Sequence, residues 1–322
     1  MSPFRPMAVI LPMALLAACG GGGGGAPTAT EALPDPLITD TEQARALVEG
    51  DIPRPASHQE IQNTLIRIVS QADTILFSEI TSAPGKPETS RMIDCTQHGT
   101  CSGKIGDGTG THRVEYSVNN RFLEPLRINE MVLPGYREQH SMVMVENRIP
   151  LMQTRGAGDT LAWRFEHQSY GGWLRYSAFT IRSERMSPID NSGNPDIPFL
   201  LAHSLGKTSP GNPGASATWE GVMVGATKDY SHIIQGNAAI EFVVDTPDAV
   251  SVTFDHMQNF DTHGQAATTR MAWPSVPLEN GVFTAADDSI RGHFYGDNHE
   301  EVGGIFDRDG IVGAFGAAEV TP

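Results

Sequence analysis

The chain has 322 residues, 39% of them hydrophobic, and a formal net charge of −16 from 22 Lys plus Arg against 38 Asp plus Glu. That length and apolar content allow one large or two medium domains with a substantial core. Such a charge would repel a phosphate backbone, which excludes a nucleic-acid partner and suits an acidic exterior outside the cell, or a basic partner.

Residues 1–18, MSPFRPMAVILPMALLAA, carry one Arg and an apolar run from Met7 to Ala18. The run is too short for a stable membrane-spanning helix and reads as a secretory signal peptide. Leu16-Ala17-Ala18-Cys19 resembles the bacterial lipobox, so Cys19 is expected to be cleaved free and lipidated, with ordinary cleavage and a free Cys19 as the alternative. A lipid on Cys19 anchors the chain to a membrane without a spanning helix. Gly20 to Gly25 and the small-residue stretch APTATEALPDP follow, and residues 19–40 read as a flexible tether. Gly20 after Cys19, where an Asp would retain the protein, points by analogy to the outer membrane.

Two segments have helical character. One is TDTEQARALVEG; the other is SHQEIQNTLIRIVSQADTILF, where Ile61, Leu65, Ile68, Ala72 and Ile75 form a stripe and Ser57 with Glu60 has capping-box spacing. These helices are expected to cover part of a sheet. Cys95 and Cys101 lie in the Gly-rich loop DCTQHGTCSG, and in an exported chain a disulfide is the natural assignment, stabilising by about 2 kcal/mol for so short a ring. A metal pair with His98 as third ligand is the rival, against which the missing fourth ligand counts.

From residue 111 the period changes to two. Val114, Tyr116 and Val118 alternate with polar neighbours, as do Leu161, Trp163 and Phe165, and SYGG reads as the turn of a hairpin over residues 159–185. Residues 186–216 contain five prolines and read as a long loop or boundary. Eight short strands then recur between turn signals: TWEGVMVGATK, AAIEFVVDT, AVSVTFDHM, TRMAWP, GVFTA, IRGHFYG, EVGGIFDR and GIVGAFGAA. Eight antiparallel strands in about a hundred residues suggest a small closed barrel, which removes exposed edges. Gly296, Gly303, Gly304, Gly313 and Gly316 permit its coiling and close approaches, and Asp309-Gly310 supplies the turn of a final hairpin.

Residues 292–317, GHFYGDNHEEVGGIFDRDGIVGAFGA, resemble the terminal motif of the transferrin-binding protein B β-barrel family. The matching positions are Gly292, Phe294, Tyr295, Gly296, Glu301, Gly303, Gly304, Phe306 and Gly313 to Ala317; Asp297 and His299 stand where the pattern has Pro and Ala. ATWEGVMVGATKD resembles the first strand of that barrel, and the lipobox with its glycine tract is also usual in the family, whose single-lobed relatives include factor H binding protein and hemophilin-like lipoproteins. The resemblance implies one lobe: mainly β, with an eight-stranded antiparallel barrel over residues 216–322 preceded by a β-rich, handle-like α+β domain over residues 41–215 with two N-terminal helices. It implies a non-catalytic surface lipoprotein that captures a host protein or an iron source such as haem and passes it to an outer-membrane receptor. The alternative is a structural, adhesion or immune-evasion lipoprotein that binds a protein without an iron ligand.

Catalytic motifs are present only as fragments. Gly206-Lys207-Thr208 ends like a phosphate loop, but Leu201 stands where the first Gly belongs; Ser204 beside His203 lacks the leading Gly of a nucleophile elbow. Asp307 and Asp309 are too few for a calcium loop. No catalytic residue and no metal site is assigned. For haem, the candidates are His256, placed by alternation on the face of Val252 and Phe254, His263 in the loop after it, and His140. Each could equally be a half-buried or solvated histidine.

Overall fold

The computed structural model describes residues 58–81, 89–96, 101–105, 137–146, 149–159, 163–189, 196–260, 262 and 264–320. The signal segment, Cys19, the tether, the helix expected over TDTEQARALVEG, the strand expected at 112–118, His98 and His263 lie outside the described residues.

A helix, α1 (His58–Gln71), leads into eight strands: β1 (Thr74–Thr81), β2 (Thr89–Thr96), β3 (Cys101–Ile105), β4 (Arg137–Glu146), β5 (Ile149–Asp159), β6 (Trp163–Trp173), β7 (Ser177–Pro188) and β8 (Ile197–Gly206). They form one antiparallel sheet in the order β3-β2-β1-β8-β7-β6-β5-β4. The helix ends at Gln71, so Ile75 belongs to β1 and not to the helical stripe. Both faces of β1 are covered: Ile75 and Phe77 join Leu65, Ile68 and Ala72 under α1, while Leu76 and Ile80 face the other way. A strand buried on both faces has no alternation, and its apolar run extends the helical pattern before it.

Two further expectations change. Tyr170-Gly171-Gly172 lies inside β6, and the hairpin turns at Leu174–Tyr176 instead. Gly171 is there for close approach, since a Cβ would stand 2.2 Å from the Phe179 carbonyl oxygen. The proline-rich stretch at 186–216 holds β8, which inserts between β1 and β7 at the centre of the sheet. Pro198 is the second residue of β8, at the strand's start, and pairs there with Arg185 of β7.

The remaining strands, β9 (Ala217–Thr227), β10 (Ile233–Phe242), β11 (Ala249–Asn259), β12 (Met271–Glu279), β13 (Val282–Thr284), β14 (Ile290–Tyr295), β15 (Glu301–Arg308) and β16 (Ile311–Glu319), form a closed antiparallel barrel. It closes where β16 pairs with β9, from Ile311↔Thr227 to Glu319↔Trp219. All eight strands expected from the sequence are present. Alternate residues point inward and fill the barrel with rings: Trp219, Phe254, Trp273, Phe283, Phe294, Phe306 and Phe315. Asp309 (φ 51°) and Gly310 (φ 75°) make the two-residue turn of the last hairpin.

The outward residues of one barrel wall are also buried. Val222, Val224, Ala226, Ile305, Val312 and Ala314 pack with Leu76, Tyr170, Phe179, Ile181, Leu200 and Ala202 of the sheet. Gly316 admits the Phe179 ring into this seam, where a Cβ would lie 2.4 Å from Phe179 Cδ1. The sheet is thus a middle layer, with α1 on one face and the barrel on the other.

Candidate binding cleft at the sheet–barrel seam

The ring-packed barrel interior leaves the exterior to carry function. At one end of the seam, four segments distant in sequence are tied together. Strand β8 continues past Gly206, and Thr208 bridges to Tyr295 of the barrel. Gly296 N donates to the Lys207 carbonyl (2.8 Å), and Ser209 N donates to the Phe294 carbonyl (2.9 Å). The Asp73 carboxylate, just after α1, accepts from Thr208 N and Thr208 Oγ1, both at 2.9 Å.

The turn between β6 and β7 is held from the barrel side by Glu301. Its carboxylate accepts from Arg175 N (2.7 Å), Tyr176 N (3.1 Å) and Ser177 Oγ (2.7 Å). Burial pushes the Glu301 carboxyl up to about 7, against the opposing pull of those hydrogen bonds. The carboxylate therefore fixes the turn at an electrostatic cost.

Neighbouring side chains pin the same seam. His293 Nε2 and Asp94 Oδ2 are 3.0 Å apart with the imidazole 7% exposed. Burial raises the Asp94 carboxyl, but the hydrogen bond and charge of His293, together with Arg291 and Thr74, outweigh it and leave it below the usual range. Tyr295 Oη and Ser204 Oγ are 3.2 Å apart, and burial pushes the Tyr295 phenol up. Tyr170 Oη donates to Gln235 Oε1 across the seam.

Over this knot opens a cleft of about 380 Å3 lined by Arg67, Gln71, Arg175, Tyr176, Lys207 and Asp297. Its lining carries Arg67, Arg175 and Lys207 with Asp297, and the Asp73 carboxylate also acts on Lys207. Lys207 Nζ donates to Asp297, which raises the lysine, and both side chains stay solvent-accessible. The Arg175 guanidinium lies 5.3 Å from the centre of the Tyr176 ring. Because the backbone of the turn is bonded to Glu301, these groups stand on a fixed support.

The sequence candidates fall elsewhere. His256 does not share the face of Phe254. The β10–β11 register shifts between Gln235 and Asn237, so Gly236 faces both His256 and Met257. In this bulge His256 adopts φ 50° and Met257 takes the inward position. The His256 side chain is 80% exposed, with Nδ1 2.7 Å from Asp255 Oδ1. His140 lies on β4, next to a register shift and opposite Arg155. Among the described residues no group of three or more His, Cys, Asp or Glu could hold a metal ion. The β2–β3 register sets Cys95 directly opposite Cys101. His203 and Ser204, adjacent on β8, point to opposite faces: Ser204 meets Tyr295 at the barrel, and His203 lies near the Phe77 ring beneath α1.

Asp297 and His299, the two departures in the terminal motif, both have structural uses. Asp297 holds Lys207, and His299 Nε2 donates to the Gly211 carbonyl at 3.0 Å. Arg67, Arg175 and Lys207 escaped notice as a group because they come from a helix end, a turn and a strand end, with no local spacing to mark them.

Residues 256–319 match the family described as the C-lobe and N-lobe β-barrels of Tf-binding protein B. No curated protein matches the chain. Among solved structures, a single-residue mutant of transferrin-binding protein B from Actinobacillus pleuropneumoniae H49 is 11% identical with a TM-score of 0.34, covering 77% of this chain and 100% of that one. The N-lobe of lactoferrin-binding protein B from Moraxella bovis is 10% identical with a TM-score of 0.32, covering 77% and 99%. The family match takes in the end of β11 and all of β12 to β16, and over those residues the chain is similar to the transferrin-binding protein B β-barrels.

Proposed function

We propose that the chain is a non-catalytic binding lobe, held at the outer membrane by a lipid on Cys19 and displayed at the cell surface, which captures a protein ligand in iron or haem acquisition. One observation supports this above the others: the barrel interior is filled by its own aromatic side chains, so recognition falls to the outer rim at the seam with the sheet. The barrel's likeness to transferrin-binding protein B barrels supports the same reading. A rigid scaffold that presents loops is suited to binding and has no need of reacting groups. The Cys95–Cys101 disulfide, on adjacent strands, belongs to this reading as a clamp for an exported sheet.

The experiment has three readouts on one preparation. Mass spectrometry of the mature protein is expected to show acyl chains on Cys19 and a Cys95–Cys101 cross-link. Labelling of intact cells with an antibody is expected to find the protein outside. Purified protein titrated with haemin, and separately with iron-loaded transferrin, is expected to give a saturable end point with one of them. Absence of acyl chains, or no saturation with either ligand, would overturn the corresponding part.

A further inference from the structure

We infer that Asn280-Gly281, the turn between β12 and β13, is a latent deamidation site, and that the Asn212 side chain keeps it unreacted in the folded chain. The modification is independent of what the lobe binds.

Asn280-Gly281 is the only Asn-Gly pair in the 322 residues. It forms a two-residue hairpin turn closed by Glu279↔Val282, with φ 54° at Asn280 and 78° at Gly281. Asparagine is thermolabile, and a following glycine has no side chain to shield the nitrogen that attacks it. In the reaction the Gly281 nitrogen loses its proton and bonds to Asn280 Cγ, the Cγ–Nδ2 bond breaks, and Nδ2 leaves as ammonia. Water then opens the cyclic imide at either carbonyl and leaves aspartate or isoaspartate. Asparagine plus water becomes the acid plus ammonia, with no oxidant or reductant.

The fold treats the two residues differently: the Asn280 side chain is exposed, whereas Gly281 is buried. Gly281 N donates to Asn212 Oδ1 at 2.9 Å. In the imide, Cγ takes the place of that proton, so the ring cannot close while Asn212 Oδ1 occupies the position. Asn212 belongs to the segment that joins β8 to β9, and its Nδ2 donates to the Pro247 carbonyl at 3.2 Å. That second bond orients the amide with its oxygen toward Gly281. Backbone of the same segment crosses the turn, where a Cβ on Gly281 would stand 2.8 Å from the Gly211 carbonyl oxygen. From the barrel side, Phe294 N donates to the Gly281 carbonyl at 3.1 Å. Reaction therefore requires the joining segment to lift. Isoaspartate then adds a carbon to the backbone of the turn, and either product adds a negative charge to a chain already at −16. Molecules in which that segment has opened are marked irreversibly.

The full chain is incubated at mildly alkaline pH, folded and in urea, and peptide mapping by mass spectrometry follows the acid formed at Asn280. Enzymatic methylation counts the isoaspartate. Conversion in urea is expected to be at least about tenfold faster than in the folded chain. Asn212→Ala, compared at a temperature where its thermal melt shows it folded, is expected to convert about fivefold faster than wild type, the weight of one hydrogen bond. Asn212→Asp keeps an acceptor oxygen for Gly281 N and is expected to stay within about twofold of wild type. No acid at Asn280 in urea, or equal rates folded and in urea, overturns the site. A wild-type rate in Asn212→Ala overturns the protecting role of Asn212. So does an Asn212→Asp rate as fast as that of Asn212→Ala, which assigns the protection to the joining segment as a whole.

Discussion

The barrel and the sheet solve the same burial problem differently. The barrel encloses its own core, and its strands meet across rings contributed by every part of the cylinder. The sheet has no core of its own. One face depends on α1, the other on the barrel wall, and its central strands β1, β7 and β8 are packed on both sides. An element whose core is its own can be read by itself. A middle layer registers changes in either neighbour, and the binding cleft stands where the middle layer meets the barrel.

The sharpest way to break the barrel side of this comparison is Phe254→Ala. Its ring lies 4.9 Å from Phe306, 5.2 Å from Phe315 and 5.3 Å from Trp273. Truncation is expected to cost about 3–5 kcal/mol in urea unfolding. Next comes the carboxylate that ties the turn to the barrel. A group at about 7 when folded, against 4.5 free, keeps its proton longer in the native state. Wild-type stability should therefore carry a Glu301 contribution that is full below pH 4.5, declines as pH rises, and is gone above 7. That decline amounts to about 3 kcal/mol. In Glu301→Gln it should be missing, as measured by urea unfolding at pH 4.5, 6 and 7.5; identical pH profiles would refute the assignment.

Gly316→Val sharpens the comparison from the seam. The new side chain meets the Phe179 ring and should destabilise by about 1–3 kcal/mol. Hydrogen exchange of the most protected amides is expected to quicken in β6 and β7 and in β11 to β13 alike. Smallest is Lys207→Ala, which removes an exposed ion pair with Asp297 and should leave the melting temperature unchanged in a thermal melt.

The same contrast explains what could be read in advance. Barrel strands away from the seam bury one face and alternate visibly, as Val250, Val252 and Phe254 do on β11, while β15 and β16, buried on both faces, are marked by the turn signal Asp309-Gly310 between them. Strand β1 has apolar residues on both sides and merges with the helix before it. Strand β8 is hidden among prolines that lie before it, after it and at its start. His256 was misplaced by a bulge, which changes parity without a sequence signal beyond Gly236 opposite it. The cleft was the least visible feature, because Arg67, Arg175, Lys207 and Asp297 are brought together only by the seam. Of these, the sequence marks only Asp297, as a departure from the barrel motif, and Lys207, in a phosphate-loop fragment that has no such role here.

The central claim is that sheet and barrel share one seam and stand or fall together. Urea unfolding followed by tryptophan fluorescence, which reports Trp163 and Trp173 in the sheet and Trp219 and Trp273 in the barrel, tests it directly when overlaid on far-ultraviolet circular dichroism. Coincident single transitions are predicted, for wild type and for a variant that retains only Trp173. A sheet tryptophan that reports unfolding at lower urea than the barrel strands would contradict the account.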